Sequence, residues 1–255
     1  VSVVARDRTA FETWVRGFGP LEAGQSARLL CFPFAGGGAS AFRSWEIPLS
    51  PRLQVCPVQL PGREDRIAEP APTSVGELVD ALLPMLGPVL REPFAFFGHS
   101  MGALIAYELA RAIDDAHAVA PIQLFASAHR APHLPDPQPH LHELAEHELV
   151  EELERLEGTL AAVFADRELR ELALPLVRAD LALCGNYRHV ERERLRCPIF
   201  ALGGLADPQI PVAELEAWVQ HTSATFRLRL FSGGHFFIRD SAPEVWRTVL
   251  SQLDD

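Results

Sequence analysis

Six short runs rich in β-branched and aromatic residues recur along this chain, at Arg28–Phe34, Leu53–Leu60, Phe94–Phe97, Ile122–Ala126, Pro198–Leu202 and Phe226–Phe231. Segments of helical periodicity lie between and after them: Ser74–Leu90, where Pro84 should introduce a kink, Met101–Ile113, Pro211–His221 and Pro243–Leu253. A helix between two strands is what a parallel pair needs to bring the chain back to the same end of a sheet. The alternation therefore predicts an α/β fold, a mostly parallel central sheet flanked by helices. With 255 residues, 48% of them hydrophobic, the chain can bury a sizeable core, and no repeat, charge block or linker divides it, so one domain over 1–255 is expected.

One interval breaks the rhythm. The stretch from His129 to Arg196 is far longer than a single crossover helix requires, and it predicts an insertion at about 132–190. It begins with Pro132, Pro135, Pro137 and Pro139, then becomes amphipathic: Leu149, Val150, Leu153, Leu156 and Leu160 face one way and Glu146, Glu151, Glu152 and Glu154 the other. Gly158 can end that helix, and a second can run from Asp166 towards Leu183, bent by Pro175. Two ordinary helices packed on the sheet would satisfy this pattern. So would a lid whose leucine face, at Leu149, Val150, Leu153 and Leu156, covers a site at the strand ends.

The chemistry concentrates after the third run, where Gly98-His99-Ser100-Met101-Gly102 stands between a strand and a helix. The bare G-x-S-x-G pattern is weak evidence. The strand–turn–helix context strengthens it, because small residues on both sides let Ser100 project from a sharp turn while the helix N-terminus supplies N–H groups. A serine hydroxyl needs a base, and the base needs an orienting carboxylate. His235 follows the last strand after two glycines, and Asp207 follows the fifth. The order Ser100, Asp207, His235 is that of an α/β-hydrolase, with Asp180 and Glu214 as fallback acids by chain order. The N–H of Met101 and, from the glycine-rich loop after the first strand, the N–H of Ala35 are the candidate oxyanion donors. A phosphate cradle is the rival reading of that loop, but it lacks G-x-G-x-x-G, and all 23 cations of the chain are arginine, so no P-loop lysine exists. His99, one residue before the serine, cannot easily reach the same proton and reads as a support for the turn. His133, His140, His142 and His147 lack zinc-type spacing and read as solvated; no metal or cofactor is expected.

A net charge of −11 opposes general binding to nucleic acid or to an anionic membrane. Cys31, Cys56, Cys184 and Cys197 show no C-x-x-C spacing and look like core thiols of a reducing compartment. No apolar stretch is long enough for a membrane span, so a soluble, cytoplasmic protein is expected.

Across nearly its whole length the sequence resembles the discrete type II thioesterases of polyketide and nonribosomal peptide biosynthesis. The resemblance is carried by Phe32-Pro33-Phe34-Ala35-Gly36-Gly37 with Phe42 and Trp45, Gln59-Leu60-Pro61-Gly62-Arg63-Glu64 with Arg66, Gly98-His99-Ser100-Met101-Gly102-Ala103, Arg130-Ala131-Pro132 and Gly234-His235-Phe236. It implies an α/β-hydrolase with a helical lid that releases acyl groups from the phosphopantetheine arm of an acyl or peptidyl carrier protein. It puts the triad on Ser100, Asp207 and His235 and the oxyanion donors on Ala35 and Met101. Arg63, Arg66 and Arg130, from the matched motifs, are candidates for docking the carrier, or equally for internal salt bridges. One departure is Ser127-Ala128-His129 before Arg130, where Gly and a second Arg would be expected. A carboxylesterase or lipase, a terminal thioesterase domain cut from a megasynthase, and a non-catalytic binding protein on a hydrolase scaffold remain alternative readings.

Overall fold

The computed structural model describes residues 11–155 and 167–253. All six expected strands form: β1 (Ala27–Phe32), β2 (Leu53–Pro57), β3 (Phe94–His99), β4 (Leu124–Ser127), β5 (Ile199–Gly204) and β6 (Phe226–Phe231). They make one sheet in the order β2-β1-β3-β4-β5-β6, every neighbouring pair parallel. Among the described residues, the helices of eight residues or more are α1 (Val75–Leu82), α2 (Met101–His117), α3 (Glu146–Arg155), α4 (Arg167–Gly185) and α5 (Ala242–Gln252).

The chain goes outward from β1 to β2, then returns past β1 to β3, so the winding reverses between β1 and β3. Such a switch point opens a crevice beyond the carboxyl ends of the strands. Register lines those ends up: Phe32 stands opposite Gly98, His99 opposite Ser127, and Ser127 opposite Leu202.

Alternate residues of each central strand enter different cores. Leu30, Phe32, Phe94 and Phe96 pack with α1 and α2 on one face; Leu29, Cys31, Phe97 and Phe125 pack with Phe42, Trp45 and α5 on the other. At the outer edge of β2 the chain lays Val15 antiparallel to Val58, and Arg16 N–H donates to the Pro57 carbonyl at 2.9 Å, which occupies groups that would otherwise invite another strand.

Several expected boundaries move for identifiable reasons. The first strand stops at Phe32 because Pro33 has no N–H for the ladder. The helix expected over Ser74–Leu90 ends as α at Leu82 and continues as 3-10 turns around Pro84 and at Val89–Arg91. Pro211–His221 likewise divides into one α turn and a 3-10 turn. The turns Ala39–Trp45 and Glu46–Leu49, which bring Phe42 and Trp45 under the sheet, were not expected from periodicity.

Between β4 and β5 stand α3 and α4, in the expected insertion. Leu156, Gly158, Leu160 and Asp166 lie outside the described residues. Leu149 and Leu153 of α3 meet Leu174 and Val177 of α4 in a small separate cluster, with Val150 against it. The leucine face thus closes the helix pair on itself rather than covering the strand ends, because the stripe of α3 finds its apolar partner in α4, which also sends Leu183 into the core that α1 and α2 share with the sheet. Among the described residues, no helix is long and apolar enough to cross a membrane.

Candidate active site

Ser100 occupies the turn between β3 and α2 with φ 53° and ψ −122°, a conformation that a residue with a side chain seldom adopts. Packing enforces it. A Cβ on Gly98 would run into the Gly102 carbonyl, and one on Gly102 into the Phe32 carbonyl, so helix and sheet meet only with glycine on both sides. Ser100 N–H is anchored on the Ser127 carbonyl at 2.7 Å, and the hydroxyl is left facing a cavity.

Two loops bring the partners. His235 Nε2 lies 3.0 Å from Ser100 Oγ, and His235 Nδ1 lies 2.8 Å from Asp207 Oδ2. Asp207 Oδ1 accepts the Gln209 N–H at 2.8 Å, so both carboxylate oxygens are engaged. An Nδ1–H donating to Asp207 leaves Nε2 as an acceptor for the serine proton. The two loops touch directly: Ala206 N–H donates to the Gly233 carbonyl at 2.9 Å, and a Cβ on Gly204 would strike the Gly234 carbonyl. His99 sits behind them, fully buried, its Nδ1 2.9 Å from Ser127 Oγ and its ring against His235 and Phe236. Burial, then the charges of His235 and Arg239, hold its pKa well below the usual imidazole value. A neutral ring at that place supports the turn, as the sequence suggested.

Ala35 lies in a tight turn closed by Gly37 N–H on the Phe34 carbonyl at 2.9 Å, with Gly36 at φ 77°. Met101 opens α2. Ala35, Met101, Ser100 and His235 all line one cavity of about 980 Å³, and no hydrogen bond to a described residue takes up the Ala35 or Met101 N–H.

The cavity wall differs from the expected one. It is built from Leu104, Leu134, Leu141, Leu181 and Ile210, the four prolines 132, 135, 137 and 139, and a polar side with His129, His133, Tyr187 and His189; among the described residues of α3, Glu152 lines it. Leu149, Val150 and Leu153 are absent from it for the reason given above. Of the two roles open to Arg63, Arg66 and Arg130, the internal salt bridge is the one that forms. Arg63 is 2% exposed and pairs with Asp180; Arg66, 6% exposed, stacks on Trp14 and pairs with Glu69. Neither offers its guanidinium to a partner. Arg130 borders the cavity but is held by the Pro135 and Gln209 carbonyls and by Glu214 at 3.5 Å. Asp180 and Glu214 are thereby committed elsewhere, which leaves Asp207 as the carboxylate on His235. For Asp180, burial pushes the carboxyl above its ordinary pKa, and Arg63 and the Gly36 N–H pull against that.

His133 corrects another expectation, since it is half-buried rather than solvated. Its Nδ1 is 2.7 Å from His221 Nε2, and His221 Nδ1 is 2.8 Å from the Tyr107 hydroxyl. Burial, helped by His133 and His189, pushes His221 down to about 3. Four separate segments meet there, and nothing in a single sequence signals such a meeting. Ala128 takes φ 51°, a glycine-favouring conformation, at the position where the resemblance had led to Gly.

Residues 27–253 match the family model described as Thioesterase domain. The chain belongs to the thioesterase domain family. Among its relatives, the protein called linear gramicidin dehydrogenase LgrE, of Brevibacillus parabrevis, is 42% identical over 228 residues, 88% of this chain and 87% of that one. Thioesterase PikA5 of Streptomyces venezuelae is 40% identical over 243 residues, covering 95% and 84%. The type II thioesterase BorB from the borrelidin biosynthetic cluster superposes with a TM-score of 0.85 at 38% identity, over 94% of this chain and 98% of that one. The redox name of the first relative has no counterpart in the other two, and this thioesterase-family chain has an α/β-hydrolase architecture with a serine, a histidine and an aspartate in hydrogen-bond contact.

Proposed function

We propose that this chain is a serine thioesterase, a single hydrolase domain whose α3–α4 insertion forms a lid, and that it releases acyl groups from the phosphopantetheine arm of acyl or peptidyl carrier proteins in polyketide or nonribosomal peptide assembly. The observation that carries the reading is His235 bridging Ser100 and Asp207, at 3.0 and 2.8 Å, in a chain of this family. Ser100 Oγ attacks the thioester carbonyl as its proton passes to His235 Nε2, and Asp207 steadies the imidazolium. The negative charge that develops on the carbonyl oxygen falls between the Ala35 and Met101 N–H groups. Collapse breaks the C–S bond; the thiolate departs and takes the proton from His235, leaving an acyl-serine. Water then gives a proton to His235 and attacks the ester, and the second collapse restores Ser100 and frees the acid.

The largely apolar cavity suits an acyl chain, and its imidazole and phenol groups suit oxygen substituents along it. A reducing cytoplasm fits the free thiols at Cys31, Cys56, Cys184 and Cys197. An acidic carrier would meet a chain of charge −11, so affinity should come from the arm inside the cavity rather than from long-range attraction. The test compares the same acyl group on a carrier protein, on a truncated pantetheine thiol and on an oxygen alcohol, at two salt concentrations. The expected order of kcat/KM is carrier, then truncated thioester, then ester, with remote binding energy used at the reacting centre. Equal values for carrier and truncated thiol would refute carrier recognition, and a faster ester would favour a general esterase.

A further inference from the structure

We infer that Asp180, on α4, is a positioning residue for the loop Phe34–Gly37, so that the seating of α4 determines where the Ala35 N–H points. The inference deepens the thioesterase reading and rests on it. Asp180 is 0% exposed, and it reaches across the molecule. Its Oδ2 accepts the Gly36 N–H at 2.7 Å and Arg63 Nη1 at 2.9 Å, while Oδ1 accepts Arg63 Nη2 at 2.8 Å. Arg63 Nη1 also donates to the Gly37 carbonyl at 2.9 Å, and Gln59 Nε2 donates to the Arg63 carbonyl at 2.9 Å.

Four polar groups of the loop backbone are held. The Phe34 carbonyl is held by Gly37 N–H, the Gly36 N–H by Asp180, and the Gly37 carbonyl by Arg63. The Ala35 N–H between them has no hydrogen-bond partner among the described residues, and Ala35 lines the cavity. With Gly36 at φ 77°, the turn has little intrinsic stiffness of its own, and donors help a transition state only when they are already aimed. A buried ion pair by itself adds little net stability, since desolvation offsets attraction. This one spends its remaining hydrogen-bonding capacity on the loop, and its acidic half comes from the insertion rather than from the sheet. If the carboxyl-terminal half of α4 lifts, Gly36 and Arg63 lose their shared acceptor together.

The test uses the full chain with an acyl-pantetheine thioester, reading kcat and KM separately for Asp180→Asn and Arg63→Lys, alongside affinity for a trifluoromethyl ketone whose tetrahedral adduct requires the oxyanion donors. We expect kcat to fall about ten- to a hundredfold, approaching the loss of one oxyanion donor, with KM changed less than about threefold and ketone affinity reduced in step with kcat. Either a folded Asp180→Asn variant within twofold of wild type, or a fall in kcat with ketone affinity unchanged, would overturn the positioning role. Should these variants not fold, amide exchange of the wild-type protein in mild urea decides: Gly36 and Gly37 should lose protection in the same step as Val177–Gly185. Opening of that helix with the loop still protected would overturn the inference. A Ser100→Ala control separates the two levels. Turnover retained there would sink the serine-nucleophile mechanism on which the inference rests, whereas an inactive Ser100→Ala beside a wild-type-like Asp180→Asn would sink only the role of Asp180.

Discussion

At the scale of single residues, the site depends on a proton whose position is set by hydrogen bonds rather than by exposure. Asp207 fixes the His235 tautomer through Nδ1, and Gln209 N–H fixes Asp207 in turn. In Asp207→Asn the amide can present an N–H to Nδ1 and reverse the tautomer, putting the proton on Nε2, where Ser100 needs an acceptor. We expect kcat to fall by about three to four orders of magnitude with KM nearly unchanged. A steady-state assay with an acyl-pantetheine thioester checks this, and turnover within tenfold of wild type would show that another group orients the imidazole. The serine, the histidine and the aspartate were legible in the sequence because each lies just beyond a strand, in a loop marked by glycine or proline. Arg63 was left open between docking and an internal salt bridge for a reason of the same kind: a motif shows that an arginine is present but not which way it points, and its partner Asp180 is 117 residues away.

At the scale of elements, the strands were the most legible part, since runs such as Phe94-Ala95-Phe96-Phe97 enter both cores and leave no polar face to blur the signal. The insertion was legible as two helices but not as a wall. Amphipathicity identified the buried stripe of α3, yet what the stripe packs against depends on α4, and the cavity is instead lined by the proline-rich segment that periodicity passes over. That distinction has a consequence for specificity. Leu149→Ala should loosen the α3–α4 pair at a cost of about 2 kcal/mol or more and speed proteolysis within the insertion, while leaving the order of preference among acyl chain lengths unchanged. Leu134→Trp, on the cavity wall, should do the reverse, shifting preference towards shorter chains with little change in stability. Competition assays with a ladder of acyl-pantetheines, run with limited proteolysis, would expose the opposite assignment.

At the scale of the whole molecule, buried imidazoles link stability to pH. Burial pushes His129 down to about 4, and His221, with its neighbouring histidines, to about 3. In the unfolded chain both would take up a proton near pH 6.5, whereas the folded protein keeps them neutral until far lower pH. The unfolded state therefore binds more protons below that point. The contribution of both rings is fully present above about pH 7 and is lost as pH falls from about 6.5 towards about 4 for His129 and about 3 for His221, at up to about 1.4 kcal/mol per pH unit for each. Urea unfolding at pH 7.5, 6.0 and 5.0 should show this decline, and His221→Gln should flatten it; a protein equally stable at pH 5.0 and 7.5 would contradict the buried-neutral assignment.

The central claim is that hydrolysis passes through an acyl group on Ser100, and rapid quenching of the protein with a slowly turned-over acyl-pantetheine thioester, followed by intact-mass and peptide mass spectrometry, tests it most directly. The expected result is a transient mass increase equal to the acyl group, mapped to the peptide containing Ser100, formed faster than acid is released and absent from a folded but inactive Ser100→Ala. Acid released at full rate by Ser100→Ala, or an adduct mapping to a different residue, would contradict it.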